Sequence, residues 1–310
     1  AVFQVNTMLD GLIAMFFSGD PGETLTLFGR TVEYPMQTGA VAILGVAARL
    51  YEFPLGVFGI AVATAIFPAI SRLADQRAEF SELIRQGLRL TIFIGLPASV
   101  GLLIVREPLC QSILPQIGKI RAGDAERVAW VLLGYAPAIW AYSMNHILVR
   151  AFYAQQQART PMRVSIVMVG LNIVLNFTLI WPLGAAGLAW STAICAGIQT
   201  LILLVLVRRH VDRPVDRSVR RSWGQSLLAT MSVAAVIGPW VYWLYPLTSD
   251  NGQTNWLGVV GVLGGAVLLG CATMAGAARL LGMMELDWIL SRKAPAALDD
   301  PNSTPDTSAD

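Results

Sequence analysis

The stretch ARLYEFPLGVFGIAVATAIFPAISR, residues 48–72, combines features that a soluble protein would not place together. Its head carries Arg49, Glu52 and Pro54, and the fourteen residues from Leu55 to Pro68 are all uncharged. Ionisable residues are rare within membrane helices, and those that occur usually face a polar interior or a water-filled pathway. The stretch therefore predicts a membrane helix with a charged head, and Arg49 becomes the centre of the functional question.

The composition extends this prediction to almost the whole chain. Hydrophobic residues make up 55% of the 310 residues and charged residues only 14%, with a mean hydropathy of +0.58. A soluble domain usually carries about a quarter charged residues, so the composition indicates a polytopic membrane protein. The formal net charge is +2, and the basic residues occur in short clusters between apolar runs. No continuous basic face predicts a nucleic-acid partner.

Eight apolar runs approach the roughly 20 residues that a helix needs to cross a bilayer. They cover residues 2–17, 39–70, 88–105, 128–149, 164–181, 185–207, 227–247 and 256–281. The second run is longer than the hydrocarbon thickness and must tilt, kink or project from the bilayer. The polar stretch 18–38 predicts an external loop with room for a short interfacial helix. Residues 73–86 predict an amphipathic helix on the inner surface or a solvated connector.

The basic residues predict the orientation of the chain. If the first run enters from the cytoplasm, the connections on that side hold 16 of the 22 basic residues. This bias follows the positive-inside rule and predicts an even number of spans with both ends cytoplasmic. The tail, residues 294–310, is rich in Asp, Pro, Ser, Thr and Ala and is expected to be disordered. Because the chain begins inside an apolar run without methionine, we expect a fragment of a longer protein.

Three charged residues fall well within the predicted spans, and all are in the first two: Asp10, Arg49 and Glu52. The guanidinium of Arg49 stays ionised and suits bidentate contact with phosphate or pyrophosphate. The alternatives are an ion pair with Glu52, one turn away, or a side chain that snorkels to the outer interface. Asp10 could partner Arg49, bind a cation or face a polar interface. The carboxylate relay of a proton-driven pump is not visible.

Two further patterns concern helix packing. Pro54, Gly56 and Gly59 form a PxGxxG pattern, which is typical of kinks and close helix contacts, and a hinge is the alternative. Asn172 and Asn176 share one helix face and predict hydrogen bonds between helices. The three cysteines and two histidines lack metal-ligand spacing, and no catalytic motif occurs in a fitting context. We therefore predict no metal site, no cofactor and no enzyme activity.

Several motifs, in order and in register, resemble the MurJ/MviN family of lipid II flippases. Residues 48–72 look like the signature segment of that family, and the agreement runs from about Gln4 to Arg209. The last two apolar runs match only in hydropathy. The other segments that carry the resemblance are Gly87–Leu90, Leu96–Ala98, Arg150–Ala154, Arg159–Pro161, Asn172–Asn176 and Gly184–Leu188.

The resemblance implies an all-α polytopic membrane fold of the multidrug/oligosaccharidyl-lipid/polysaccharide exporter superfamily, with two lobes of six helices and two extra helices. On that map the chain begins at the seventh helix. Residues 1–209 would be the second, MATE-like lobe, residues 210–293 the two additional C-terminal transmembrane helices, and residues 294–310 the cytoplasmic tail. The fragment would thus contain eight transmembrane helices.

The resemblance also implies a function, which is flipping of lipid II across the bacterial inner membrane by alternating access. The implied partners are lipid II, membrane lipids and a monovalent ion or the membrane potential. Arg49 falls on a family arginine of the central cavity, where it would bind pyrophosphate. An acidic residue often precedes that arginine in the family, and because Ala48 stands there, Glu52 or Asp10 would replace it. The last two helices would form a groove for the lipid tail.

Two other functions stay open from the sequence. The first is a related exporter of another lipid-linked oligosaccharide or of drugs. The second, from a different class, is a non-transporting membrane scaffold or regulator, which predicts that Arg49 is fully paired and that no cavity lies at its depth.

Overall fold

A computed structural model describes residues 2–27, 29–114, 122–250 and 253–290 of the chain. This part is almost entirely helical, apart from three small pairs of strands. The predicted disordered tail, residues 294–310, lies outside the described residues. In chain order the helices are α1 (Val2–Phe16), α2 (Ala40–Pro54), α3 (Ala61–Arg72), α4 (Arg77–Pro108), α5 (Ala122–Tyr135), α6 (Ala138–Ala154), α7 (Arg159–Leu183), α8 (Ala185–Leu206), α9 (Arg217–Leu244), α10 (Trp256–Leu280) and α11 (Met284–Leu290).

Helices α2 and α3 belong to one continuous helical stretch of 33 residues, Ala40–Arg72. A π-helical segment, Leu55–Ile60, joins them and begins directly after Pro54. Proline removes one backbone hydrogen bond and its ring crowds the preceding turn. A wider π turn is one of the recognised ways in which a helix absorbs such a disturbance. The kink expected near Pro54 therefore takes the form of a local change of helix type.

Six helical stretches in the described ranges are long and apolar enough to cross a membrane: 40–72, 77–111, 159–183, 185–209, 217–248 and 256–280. They correspond to six of the eight predicted runs. The first predicted run is the 15-residue helix α1. The fourth is divided between α5 and α6, which meet at a turn at Ala136 and Pro137. The all-α polytopic membrane architecture is confirmed, and the number of eight spans stays a prediction.

Residues 18–27 and 29–38 form two pairs of short strands, in a segment that we call the outer strap after the side of the membrane that the basic residues predict for it. The short interfacial helix considered for this stretch is wrong, since β-branched and alternating residues favour extended structure here. Strands β2 (Thr24–Leu27) and β3 (Arg30–Glu33) form an antiparallel hairpin. Strands β1 (Ser18–Gly19) and β4 (Met36–Gln37) pair in parallel. The third pair, β5 (Ser249–Asp250) with β6 (Gln253–Thr254), lies between α9 and α10.

The outer strap is tied to the helices at its C-terminal end. The guanidinium of Arg127, on α5, donates to the backbone carbonyls of Gln37 at 3.1 Å and Thr38 at 3.2 Å. Gly184, at the turn between α7 and α8, comes close to the carbonyl of Pro35, because a Cβ placed there would lie 3.1 Å from that oxygen. The strap thus rests on the ends of α5, α7 and α8.

The prediction that residues 73–86 form a surface helix or a solvated connector is wrong for residues 77–86, the helical part of this stretch. They are the first turns of α4, and their apolar residues Phe80, Leu83 and Ile84 are buried in a core shared with α3, α6 and α8. The amphipathic pattern was sound, but its apolar face packs against protein instead of lipid. The sequence pattern does not distinguish these two partners.

The helices pack in a compact sequence of neighbours. Helix α6 contacts α4 and α8, α7 contacts α8, and α5 contacts α2 and α8. The two last long helices, α9 and α10, pack against each other and against α4. The indole nitrogen of Trp240 donates to the carbonyl of Val262 at 3.0 Å, and a Cβ at Gly265 would lie 2.6 Å from its ring. Gly265 therefore admits the tryptophan between α9 and α10.

Candidate functional site

Arg49 lies on the exposed face of α2. The same face carries Phe53, of which 73% is exposed. The opposite face of the helix is buried in the core, where the ring of Tyr51 stacks on that of Tyr135 with centroids 4.7 Å apart. This packing fixes the rotation of α2, and with it the direction in which Arg49 leaves the helix.

Arg49 makes no hydrogen bond and no ion pair within 4.0 Å in the part of the chain that the structure describes. Glu52, one turn further along α2, is half-buried and is likewise outside the ion pairs found among these residues. The closed Arg49–Glu52 pair considered from the sequence is therefore not formed. The guanidinium is accessible to a ligand.

The PxGxxG pattern contains two glycines in different surroundings. A Cβ at Gly59 would lie 2.7 Å from Oγ and 3.3 Å from Cα of Ser143 on α6. A Cβ at Gly56 would meet no atom within 4 Å. Gly59 thus allows close approach of the π-helical segment to α6, whereas Gly56 has no packing partner of this kind. Pro54 lies directly before the π-helical segment.

Asp10 is buried within a polar network that joins α1 to α7 and α8. One carboxylate oxygen accepts a hydrogen bond from the amide of Asn176 at 2.6 Å, and the other accepts one from the hydroxyl of Thr192 at 3.3 Å. The same amide of Asn176 also donates to the side-chain oxygen of Asn172 at 2.9 Å. Ser191 donates to Asn176 and accepts from Asn172, so that each member holds the next. Asp10 forms no ion pair with Arg49.

A cavity of about 590 Å³ opens beside this network, and we call it the polar cavity. Its walls come from α1, α2, the π-helical segment, α6, α7 and α8. Neither Arg49 nor any other arginine or lysine is among its described lining residues. Its lining residues include Asn6, Glu52, His146, Asn172, Cys195 and Gln199.

No group of three or more His, Cys, Asp or Glu side chains that could hold a metal ion occurs in residues 2–27, 29–114, 122–250 and 253–290. The polar groups around Asp10 are amides and hydroxyls instead. In the described structure the amide of Asn176 and the hydroxyl of Thr192 donate to the carboxylate, so Asp10 is the acceptor of this network.

A family model described as "Lipid II flippase MurJ" matches residues 1–260. The chain belongs to the MurJ family. A probable lipid II flippase MurJ of Vibrio cholerae is 32% identical over 205 residues, which are 66% of this chain and 35% of that protein. A probable lipid II flippase MurJ of Thermotoga maritima is 27% identical over 292 residues, 94% of this chain and 52% of that protein. The chain thus spans about half the length of these MurJ relatives, or less.

Solved structures agree with the MurJ assignment at the level of the fold. A lipid II flippase MurJ in an inward closed conformation superimposes with a TM-score of 0.64 and 21% identity, covering 90% of this chain and 52% of that one. An outward-facing multidrug resistance MATE family transporter of the MOP superfamily follows with a TM-score of 0.54 and 15% identity, covering 92% and 63%. The MATE-like architecture expected from the sequence is confirmed.

The three predicted binding residues occupy three different environments. Arg49 is on the exposed face of α2, and Glu52 lines the polar cavity. Asp10 lies in the hydrogen-bonded network that also contains Asn172 and Asn176. Their roles in substrate binding stay predictions. The sequence did not single out Thr192, because isolated hydroxyl residues are common in membrane helices and usually bond within their own helix.

Proposed function

We propose that the protein moves the lipid-linked peptidoglycan precursor lipid II across the bacterial inner membrane by alternating access, without a covalent step. The observation that carries the proposal is Arg49, a permanently charged side chain that is exposed and unpaired in the described structure. Such a charge in a membrane helix is costly unless it meets a partner or water. Its planar guanidinium suits the oxygens of a pyrophosphate. Membership of the MurJ family supports this substrate.

The proposed transport cycle uses the exposed face of α2 as one wall of a central cavity. Arg49 holds the pyrophosphate there, while the undecaprenyl tail lies against α9 and α10. Both helices expose large apolar side chains, among them Leu227 and Met231 on α9 and Leu268 on α10. Rocking of this set of helices against a second lobe then exposes the headgroup outside. The distribution of basic residues supports a cytoplasmic position for both ends of the chain.

The two rival functions fit the exposed arginine less well. A drug or cation antiporter favours carboxylates over a cation on its open face, whereas Arg49 stands on that face here. A non-transporting scaffold predicts that Arg49 is closed in an ion pair, and no such pair is found among the described residues. An anionic, lipid-linked substrate is therefore the function we favour.

A monovalent cation is proposed to couple this cycle to the membrane, with Asp10 as its charged ligand. The carboxylate is buried beside the amide of Asn176 and the hydroxyl of Thr192. A unit charge that crosses a potential of 100 mV releases roughly 2.3 kcal/mol. A cation bound at Asp10 on one side and released on the other would bring that free energy into the transport cycle.

Lipid II transport by variants of Arg49 tests the proposal. The protein, expressed at its full natural length and reconstituted in liposomes, would be assayed with fluorescent lipid II. Loss of a hydrogen-bonded charge typically costs about 1.5–3 kcal/mol, so we expect Arg49→Ala to lower the transport rate by about 10- to 100-fold and Arg49→Lys to retain part of it. Arg30→Ala, on the exposed hairpin of the outer strap, is the matched control and should transport normally. A normal rate for Arg49→Ala would overturn the proposal.

The same assay separates substrate binding from ion coupling. Asp10→Asn keeps a side chain of the same size but removes the charge, so we expect lipid II to bind normally while transport no longer responds to a cation gradient. If Asp10→Asn transport still followed the gradient, the coupling part of the proposal would be lost and the role of Arg49 would stand.

A further inference from the structure

The polar cavity becomes more buried from its rim to its floor. Glu52 is half-buried and Ile60 is exposed at the rim. Asn172 and Cys195 form part of the floor, with 1% and 6% of their surface exposed. The exposed and half-buried lining residues define its rim, and the buried ones define its floor.

The walls of the cavity offer oxygen ligands and one negative charge. Besides Glu52, they carry the side-chain amides of Asn6 and Gln199. The amide oxygen of Asn6 is buried and has no hydrogen-bond partner in the described structure. Buried polar atoms nearly always have a partner, so this oxygen points to a ligand or solvent in the cavity. Hard cations prefer carboxylate, carbonyl and water oxygens.

The charge of Arg49 acts on Glu52, but neither Arg49 nor Arg150 lines the cavity. Arg150 lies one turn beyond His146 on α6, but its guanidinium donates to the hydroxyl of Thr64 at 2.9 Å and lies 5.7 Å from the ring centre of Phe67. Both contacts hold it against α3. Arg49 leaves α2 on the exposed face and is not among the lining residues. The wall thus keeps Glu52 as its charged group, beside the titratable imidazole of His146.

The floor of the cavity is continuous with the Asp10 network through Asn172. This residue lines the cavity, and its side-chain oxygen accepts from the same amide of Asn176 that donates to Asp10. A cation on the floor would therefore be one amide side chain away from the buried carboxylate.

We infer that the polar cavity is a hydrated chamber that admits a small monovalent cation from the open face of α2, and that Glu52 is the group that attracts it instead of a ligand of the pyrophosphate. The inference deepens the proposed ion coupling and rests on it for its physiological role. It separates two functions along one turn of α2, with the anion at Arg49 and the cation at Glu52.

Cys195 makes the charge of the chamber measurable. In the protein at its full natural length with Cys195 as its only cysteine, the thiol would be treated with two methanethiosulfonates of similar size, one carrying a trimethylammonium group and the other a sulfonate. We expect the cationic reagent to react at least about tenfold faster, since the carboxylate favours cations and repels anions at this range. Glu52→Gln should abolish the preference, and Arg49→Ala, which removes a positive charge that acts on Glu52, should keep it in the same direction.

A variant whose only cysteine is Cys110, which is fully buried in another cluster, should react with neither reagent. Sodium should slow the cationic labelling of Cys195, and choline, which is much larger, should not. Equal rates, a faster anionic reagent, or an unreactive Cys195 would each overturn the chamber. Because labelling requires no lipid II, a failure of the proposed transport function would leave this readout intact.

Discussion

Glu285 is a carboxylate with no solvent exposure, near the end of α10 and the start of α9. One of its oxygens accepts from the guanidinium of Arg89 on α4 at 2.7 Å and from the hydroxyl of Ser222 on α9 at 2.6 Å. The ring of Trp288, one turn along α11, lies 5.0 Å from the Arg89 guanidinium carbon. Three helices that are distant in sequence therefore meet at one buried ion pair.

Removal of one partner from this pair should destabilise the protein strongly, because the remaining charge is left buried. We expect Glu285→Gln to lower the free energy of unfolding by about 3–5 kcal/mol, seen as a lower unfolding midpoint in detergent. The matched control is Glu82→Gln, which breaks the partly exposed pair with Arg85 and should cost only about 0–1 kcal/mol. The double variant Arg89→Met with Glu285→Leu should recover most of the loss. If the double variant unfolded at a midpoint as low as that of Glu285→Gln, the unpaired buried charge would not be the cause of the loss.

The sequence indicated the importance of some residues but could not predict the environments of others. Arg49 could be recognised because a charge within an apolar run needs a reason. The environment of Asp10 could not be recognised, because its partners Asn176 and Thr192 lie more than 160 residues away. Hydrogen bonds between distant helices leave no spacing pattern in the chain. The separation of Glu52 from Arg49 likewise needed the rotation of α2, which depends on the packing of Tyr51.

At the scale of the element, residues 48–72 lie in one continuous helical stretch that contains both α-helix and π-helix. Its π-helical segment, Leu55–Ile60, lies between the charged head and the apolar tail of the helix. Gly59 in this segment approaches Ser143 closely, whereas Gly56 faces open space. The glycine pattern therefore contains one glycine, Gly59, that a close helix contact requires. At the other, Gly56, the only evident effect of glycine is a more flexible backbone.

The two glycines should respond differently to the same substitution. Gly59→Ala places a methyl group 2.7 Å from the Ser143 hydroxyl and 3.3 Å from its Cα, so we expect a lower unfolding midpoint and displaced packing of α6. Gly56→Ala finds no atom within 4 Å, so stability should be unchanged or raised by up to about 1 kcal/mol from the better helix propensity of alanine. Thermal unfolding in detergent would measure both variants. A midpoint for Gly56→Ala as low as that for Gly59→Ala would remove the contact from the explanation.

Elements could be predicted where the length of an apolar run determines the structure. They were less predictable where packing or strand-pairing partners determine it. Six long apolar runs became single membrane-length helices. The outer strap, by contrast, was polar and mixed in charge, and its short strands depend on pairings such as β1 with β4 across 16 intervening residues, 20–35. Residues 77–86 had the right amphipathic pattern, yet they joined α4 because its apolar face met α3 and α6. Periodicity shows that a face is buried and leaves open what buries it.

At the scale of the whole molecule, membership of the MurJ family and the likeness to MATE-type transporters account for the order of the helices. The chain spans about half the length of the MurJ relatives, or less, so its own structure shows one side of the proposed transport path. An exposed face with an unpaired arginine is difficult to reconcile with direct contact with lipid tails. It is readily explained if a second set of helices or a water-filled cavity covers α2.

The basic residues predict the orientation of the molecule in the membrane, and cysteine labelling at two exposed positions tests this prediction. Thr24, in the hairpin of the outer strap, should face the outside, and Ser218, at the start of α9, should face the cytoplasm. In a cysteine-free protein of full natural length, a membrane-impermeant maleimide applied to intact spheroplasts should label Thr24→Cys and spare Ser218→Cys. Both should be labelled after permeabilisation. The reverse pattern would place Arg208, Arg209 and the arginines that follow them outside, and would contradict the positive-inside argument together with the direction of transport proposed from it.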